Sequence, residues 1–157
     1  MPIQAHLILA TVATIDPNIG MPILVGTGWT VRTPEPEPMA IQALIYVPRE
    51  DQGRHSWRLE MTYADGTPVK LRKPVEGVPA EFVFEDHDNV RGLDDPKLTT
   101  PLTTGPLIAL PPFPLPRGRE YVWRLWVDGE TRDSWIVPFR TTPPDSQPQT
   151  AHALRKL

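Results

Sequence analysis

The segment 119–139 reads REYVWRLWVDGETRDSWIVPF and holds three of the five tryptophans of the chain. Large apolar side chains occupy odd positions in both of its halves: Tyr121, Trp123, Leu125 and Val127 in the first, Trp135, Val137 and Phe139 in the second. A two-residue period is typical of a β-strand with one buried face. The segment therefore predicts a β-hairpin whose aromatic side chains pack into a core.

The connection at Asp128-Gly129 decides the register of this hairpin. A two-residue loop would pair Val127 with Glu130, so the apolar residues of the two strands would face opposite sides. A three-residue loop would pair odd positions with odd positions. We therefore predict a three-residue loop, built on a type I turn with Gly129 in the left-handed conformation and a bulge.

The same period recurs along the rest of the chain. Odd-numbered apolar residues are expected to face inward over 3–15, 21–31, 39–47 and 55–63, with shorter strands at 81–85 and 107–110 and a long loop over 86–101. Several short strands with turn signals and no amphipathic helix indicate a sandwich. We predict a single antiparallel β-sandwich over 1–140, Ig-like or jelly-roll in topology, followed by a Pro/Gln-rich C-terminal arm over 141–157.

The composition agrees with a β-rich domain of this size. The chain has 157 residues and 21 prolines, well above the usual proline level of ~5%, and proline is excluded from helix interiors and central strands. It has no cysteine, so neither disulfides nor thiolate chemistry are available. A net charge of -3 without a basic run gives no sign of nucleic-acid binding.

The N-terminal stretch AHLILATVATI is apolar enough to resemble a signal or membrane segment. No lysine or arginine precedes it, and the first residue of either type is Arg32. A secretory signal needs a basic start, and a membrane span needs ~20 apolar residues. We therefore interpret this stretch as a buried strand and expect a protein of the cytoplasm or of a virion, without a signal peptide or membrane partner.

Residues that could carry chemistry are few and scattered. The nucleophile elbow, the phosphate-binding loop and the dinucleotide fingerprint are all missing from the sequence, and the four histidines have no metal-ligand spacing. The acidic segment 85–95 offers Asp86, Asp88 and Asn89 as weak Ca²⁺ ligand candidates, but it lacks the EF-hand pattern. We expect no catalytic residue, no metal and no cofactor.

Trp126 has the opposite parity from the other tryptophans of the hairpin. It shares its predicted face with Val122, Arg124, Arg132 and Ile136. One interpretation is that a neighbouring loop covers this face; the other is an exposed interface, because Trp beside Arg is the composition of an interaction hot spot. In the arm, Leu154 and Leu157 are candidate anchors for a contact with another subunit.

Two motifs carry a family resemblance: ILVGTGWT at 23–30, and LPRGREYVWRLWVDGE at 115–130 with SWIVPF at 134–139. They resemble the opening and the ending, pPGxYxWRLxVDGE…PF, of an uncharacterised family of small β-sandwich proteins from actinobacteria and actinobacteriophages. The matching residues of the second motif are Gly118, Tyr121, Trp123, Arg124, Leu125, Asp128 and Gly129. This chain departs from the pattern at Arg117, where proline is usual, and has Glu120 between Arg119 and Tyr121. The resemblance implies a fold but no chemistry.

From these features we expect a non-enzymatic structural or accessory protein that acts through surface contacts. Because the resemblance includes phage proteins, its most concrete form is a virion component such as a capsid decoration protein. The partner would be another protein, capsid or otherwise, or a second copy of the chain. The alternative is a cytoplasmic β-sandwich binding module for an unknown protein or small ligand.

Overall fold

The protein is described by a computed structural model over residues 2–33 and 35–143. Its fold is all-β, as predicted. The strands are β1 Gln4–Ala10, β2 Val12–Ile15, β3 Pro22–Val25, β4 Val31–Arg32, β5 Glu37–Val47, β6 Gly53–Tyr63, β7 Val83–Val90, β8 Leu102–Thr104, β9 Leu107–Phe113, β10 Glu120–Val127 and β11 Ile136–Thr141. Two short 3₁₀ turns lie at Arg49–Asp51 and Asp133–Trp135. Most of the predicted arm, 144–157, lies outside the described residues.

Two sheets make up the sandwich. In the first, β5 is central, with β1 on one side and both β8 and β9 on the other. The second has the order β4-β11-β10-β6-β7. Neighbouring strands of both sheets run antiparallel, except for the short parallel pairing of β4 with β11. That pairing is a local departure from the purely antiparallel arrangement predicted.

The strand order is that of an immunoglobulin-like sandwich. Strands β1, β5 and β9 belong to one sheet. In the other sheet, β6, β10 and β11 lie side by side, and β7 pairs with the outer edge of β6. This arrangement corresponds to the A-B-E and C-F-G groupings of immunoglobulin folds. Of the two topologies predicted, the described strands therefore follow the Ig-like one.

The core lies between the two inner faces. All five inward residues predicted for β5 are buried: Met39, Ile41, Ala43, Ile45 and Val47. The buried ring of Trp123 spans to the opposite sheet, where its indole Nε1 approaches the Met39 sulfur at 3.4 Å. Trp135 is also buried, and Trp57 packs against the core while only partly buried. The aromatic residues of the hairpin are thus principally core residues.

Tyr121 anchors the turn that leads into β10. Its side chain is buried, and its hydroxyl donates a hydrogen bond to the carbonyl oxygen of Pro116 at 2.7 Å. This is the tyrosine corner of immunoglobulin-like sandwiches. Burial raises the pKa of Tyr121 above its usual range, so the hydroxyl stays protonated and remains a donor.

The Asp128-Gly129 hairpin keeps the predicted register but has a different turn. Tyr121 pairs with Phe139 and Trp123 with Val137, so odd positions face odd positions as predicted. The prediction of a three-residue loop was wrong. Asp128 and Gly129 both have positive φ, 51° and 81°, and Val127 and Glu130 exchange both backbone hydrogen bonds, which defines a two-residue type I′ turn.

The 3₁₀ turn at Asp133–Trp135 restores the register after this turn. Strand pairing resumes with Arg124 opposite Ile136, three residues out of step with the pairing at the turn. The backbone N–H of Trp135 donates to the carbonyl of Arg132 at 2.9 Å within this irregular segment. The irregularity lies between the turn and the second strand, where the parity argument had not placed it.

Two other elements differ from the prediction. The strand predicted over 3–15 is broken at Thr11, and its second half pairs with β3 instead of β5. The segment EDHDNV, predicted to be mostly loop, belongs to β7, an edge strand paired with β6 along its whole length. Within the described residues, none of the helical turns has the length or apolar character that crossing a membrane requires.

Arg32 is a buried cation at one end of the sandwich. It donates hydrogen bonds from Nη2 to the carbonyl oxygens of Glu37 and Phe113 and lies over the Phe113 ring at 4.4 Å. Burial lowers its pKa to about 10, an effect that the nearby Glu37 carboxylate opposes. Its contacts tie β4 to β5 and β9, so this charge serves the architecture.

Candidate functional site

A two-stranded ribbon forms a small sheet of its own beside the sandwich, where β2 lies near β5 and β9. Among the described strands, β2 and β3 pair only with each other, and the turn between them spans 16–21. An isolated two-stranded hairpin is marginally stable in water unless something packs on it. We call the unit 12–25 the apolar ribbon.

The apolar ribbon exposes large hydrophobic side chains. Their exposed fractions run from 44% at Ile23 to 69% at Ile19. The six residues concerned are Val12, Ile15, Ile19, Met21, Ile23 and Val25. The inward orientation predicted for Met21, Ile23 and Val25 was therefore wrong: they repeat the strand period, but no second sheet covers them. A patch of this kind usually marks an interaction site.

The outer surface of the apolar ribbon is almost free of charge. Asp16 is the one ionisable residue between Thr11 and Val31. Its carboxylate accepts the backbone N–H of Asn18 at 2.8 Å, and its carbonyl accepts the N–H of Gly20 at 2.8 Å. The carboxylate thus stabilises the turn, and the apolar face carries no competing charge.

The base of the apolar ribbon is held at a defined position. The backbone N–H of Thr11 donates to the carbonyl oxygens of Val25 and Gly26, at 3.1 and 3.2 Å. Gly26 has φ 71°, and a Cβ there would lie 2.7 Å from Thr11 Oγ1. Glycine therefore permits the close approach that redirects the chain out of β1 and into the ribbon.

The Trp126 face is the second candidate surface, on the outer side of β6, β7 and β10. Trp126 is half-buried and lies opposite Arg58, which in turn lies opposite Glu85. The guanidinium carbons of Arg58 and Arg124 lie 5.7 and 5.6 Å from its ring centroid. Arginine side chains flank the indole on this face. Trp126 is therefore neither covered by a loop nor fully exposed to solvent.

The structure groups some of the predicted interface residues and separates others. Val122, Arg124 and Ile136 are half-buried on the same outer face as Trp126. Arg132 was predicted to join them, but its Nη1 donates to the carbonyl of Ile3 at 2.9 Å and its guanidinium lies over the Trp135 ring. Arg132 therefore ties the segment that leads into β11 to the segment that precedes β1. Leu154 and Leu157 lie outside the described residues.

The weak Ca²⁺ candidates do not converge on one point. Asp86 and Asp88 share one side of β7, whereas Asn89 has the opposite parity, and successive side chains of a strand point to opposite faces. Asp88 Oδ2 also accepts a hydrogen bond from Thr104 Oγ1 at 2.6 Å. In the described part of the chain, no group of three or more histidine or acidic side chains could hold a metal ion.

One cluster contains a serine, a histidine and an aspartate without the geometry of a catalytic triad. His55 Nδ1 lies 2.7 Å from Asp128 Oδ2, and its Nε2 lies 2.6 Å from the carbonyl oxygen of Asp51. Ser56 contacts Asp128 through its N–H at 2.9 Å and its hydroxyl at 3.5 Å. Both imidazole nitrogens are engaged and neither faces the serine, so the cluster is arranged to hold loops together.

The apolar ribbon is the feature that the strand-period argument missed. A signal was present: 11–31 contains one charged residue, and its even positions include Val12 and Leu24 as well as the apolar odd positions. An alternating core strand should show a polar face, and this stretch does not.

No protein-family model, curated protein or solved structure matches this chain.

Proposed function

We propose that this protein acts without catalysis, as a structural or accessory protein that binds another protein through the apolar ribbon. The observation that supports the proposal is the ribbon itself, with six large apolar side chains exposed on a unit outside both sheets. Burying such a surface is favourable by about 25 cal/mol per Å² of apolar area. We therefore expect a partner protein to cover this surface and exclude water from it in the complex.

The ribbon favours a protein partner over a bilayer. Hairpins that insert into membranes are held at the headgroups by basic and aromatic side chains. Between Thr11 and Val31 there is no lysine or arginine, and the one tryptophan, Trp29, packs against Phe139 at 5.5 Å between ring centroids. A protein surface offers the ribbon apolar contact without requiring these anchors.

The backbone of the ribbon indicates the form of the contact. Within residues 2–33 and 35–143, each of its strands has one edge without a ladder partner, and such edges accept a strand from another chain. The partner would contribute an uncharged apolar strand that pairs with the ribbon and covers Ile23 and Val25. The most concrete setting is a virion, where this protein would decorate a capsid or join another structural protein.

Photo-cross-linking tests which molecule covers the ribbon. A photoreactive amino acid would replace Ile23 on the ribbon, Glu85 on the Trp126 face or Lys97 in an exposed loop, in the organism that makes the protein. We expect Ile23 to give one product with another protein, identified by mass spectrometry, and Lys97 to give none. Binding would then be measured with the purified partner, where Ile23→Asp should weaken affinity by about tenfold or more.

The same experiment can contradict the proposal. A product containing only lipid would identify a membrane site, and a product containing only a second copy would identify self-assembly. Products from Glu85 but not from Ile23 would move the contact to the Trp126 face. Affinity for the purified partner that is unchanged by Ile23→Asp would also exclude the ribbon as the contact.

A further inference from the structure

A cleft with a cationic rim lies between two loops at the other end of β6 from the His55 cluster. One wall comes from the β6–β7 connection and the other from the β9–β10 connection. Its volume is about 580 Å³, and its floor is formed by Leu71 and Leu115. Each wall contributes two cations to the rim: Arg72 and Lys73 from one, Arg117 and Arg119 from the other.

The charges of this cleft are unbalanced. None of its lining residues is acidic, and in the described part of the chain none of the four cations forms a close ion pair with a carboxylate. Hydrogen bonds from Thr67 lower the pKa of Asp65, and Arg119 is near enough to help lower it further. The guanidinium carbon of Arg119 lies 4.1 Å from the centroid of the Tyr63 ring, and this contact positions the side chain. Four cations around one opening contrast with the net charge of -3 for the whole chain. Clefts lined by one sign of charge attract ligands of the opposite sign.

Both walls of the cleft are held in place before any ligand binds. The Pro116 carbonyl accepts hydrogen bonds from the hydroxyls of Tyr121 and Thr141, both at 2.7 Å. Across from it, Leu71 packs against the core and follows the buried Val69. A cleft with fixed walls binds with a smaller loss of conformational entropy than a mobile one.

We propose that this cleft binds an acidic peptide segment in which an apolar side chain is flanked by carboxylates. The apolar side chain would contact Leu71 and Leu115, and the carboxylates would pair with the cations on either rim. The inference does not depend on the apolar ribbon, which contributes none of the residues that line the cleft and carries one ionisable residue, Asp16. It gives the protein a second binding site for a partner of opposite chemistry.

The composition of the floor favours a peptide over other anions. A free phosphate would leave the two leucines uncovered, and a fatty acid would supply one carboxylate for four cations. Single-stranded nucleic acid relies on aromatic platforms for its bases, and the lining contains leucine and proline but no aromatic ring. Only a chain that carries several carboxylates and an apolar group uses both parts of the cleft.

Fluorescence anisotropy with three labelled peptides tests the proposal. The probes are EEDLLDEE, its serine analogue EEDSSDEE and the basic analogue KKRLLRKK, each titrated with the full chain. We expect saturable binding of EEDLLDEE that weakens as salt is raised, and binding of the serine analogue weaker by about tenfold. The basic analogue should not bind.

A pair of charge reversals assigns the binding to the cleft. Lys73→Glu with Arg117→Glu should weaken binding of EEDLLDEE by about tenfold or more. Arg54→Glu with Arg91→Glu changes the net charge equally at exposed positions away from the cleft and should have little effect. Thermal unfolding would confirm that both variants fold.

Several outcomes would overturn the proposal. Equal binding of the serine analogue would show that the apolar floor is unused. An equal loss in the Arg54/Arg91 variant would show that net charge alone attracts the peptide. Displacement of the peptide by laurate, inorganic phosphate or an oligonucleotide at a lower concentration than unlabelled EEDLLDEE would assign the cleft to that ligand.

Discussion

His55 shows how one residue joins two loops that are far apart in the sequence. Its two ring nitrogens face the Asp128 carboxylate and the Asp51 carbonyl, and both of these groups only accept hydrogen bonds. Both nitrogens must therefore carry a hydrogen when both bonds form. Burial alone would lower the pKa of His55, but the hydrogen bonds to Asp128 and Asp51 outweigh burial and the pKa is raised.

The raised pKa makes the stability of the fold depend on pH. The stabilisation is complete below the unfolded value of ~6.5 and is lost as pH rises through the higher folded value. We expect Asp128→Asn, which preserves the turn, to lower the free energy of unfolding by about 1 kcal/mol near pH 6 and by less near pH 9. Urea unfolding of both proteins at both pH values measures this. A difference that does not change with pH would contradict a charged His55.

Residue parity predicted which side chains are buried better than it predicted their polar partners. Trp123, Leu125 and Trp135 occupy the core as their positions indicated. The bond from Arg132 to Ile3 joins residues 129 positions apart, and nothing in the local sequence indicates it. Burial follows from a local period, whereas a polar contact depends on how distant elements meet.

At the scale of elements, strand pairing was predictable but the way it is achieved was not. The hairpin keeps odd-with-odd pairing because the cost of exposing a set of aromatic side chains is large. The chain meets this requirement with a tight turn followed by a 3₁₀ irregularity, and a longer loop would have met it equally well. The register is therefore set by burial, and the loop geometry by local conformational preference.

The turn itself can be tested by substitution. Gly129 has φ 81° and open space around its Cα, so Gly129→Ala should be strained through its backbone alone. We expect a loss of about 1–2 kcal/mol in the free energy of unfolding, measured in urea. Glu130→Ala, at the adjacent exposed position, serves as the control and should change stability by less than ~0.5 kcal/mol. Equal stabilities would indicate that Gly129 is not left-handed.

The break between β1 and β2 is an element that periodicity could not locate. The apolar alternation runs through Thr11 without interruption. What breaks the strand is the approach of Gly26, whose carbonyl accepts the Thr11 N–H. Glycine in an otherwise strand-like segment signals such an approach but does not identify its partner. Sequence alternation alone therefore assigned the ribbon to the core.

On the scale of the whole molecule, the apolar ribbon contributes no side chain to the core of the sandwich. The core cluster contains residues from both sheets and none from 10–28. A domain of this kind draws its stability from that cluster, which the ribbon does not enter. The ribbon should therefore be dispensable for folding, while any role in binding is lost with it.

Shortening the ribbon tests this separation. Replacing 13–24 by Asn-Gly would join the paired residues Val12 and Val25 through a two-residue turn. We expect cooperative unfolding with a free energy within about 1 kcal/mol of the native chain, because no core side chain is removed. Trp123→Ala, as a contrast, should cost about 3–5 kcal/mol. A shortened chain that fails to fold would show that the ribbon supports the sandwich.

The parallel pairing of β4 with β11 affects how the domain would respond to mechanical tension. Beyond β11 the chain leaves through Thr142, whose N–H donates to the Arg32 carbonyl at 3.1 Å. Tension applied along β11 would load its hydrogen bonds to β4 and β10 together in shear, because β11 lies between these two strands. The bonds would then resist as a group and would not open one after another.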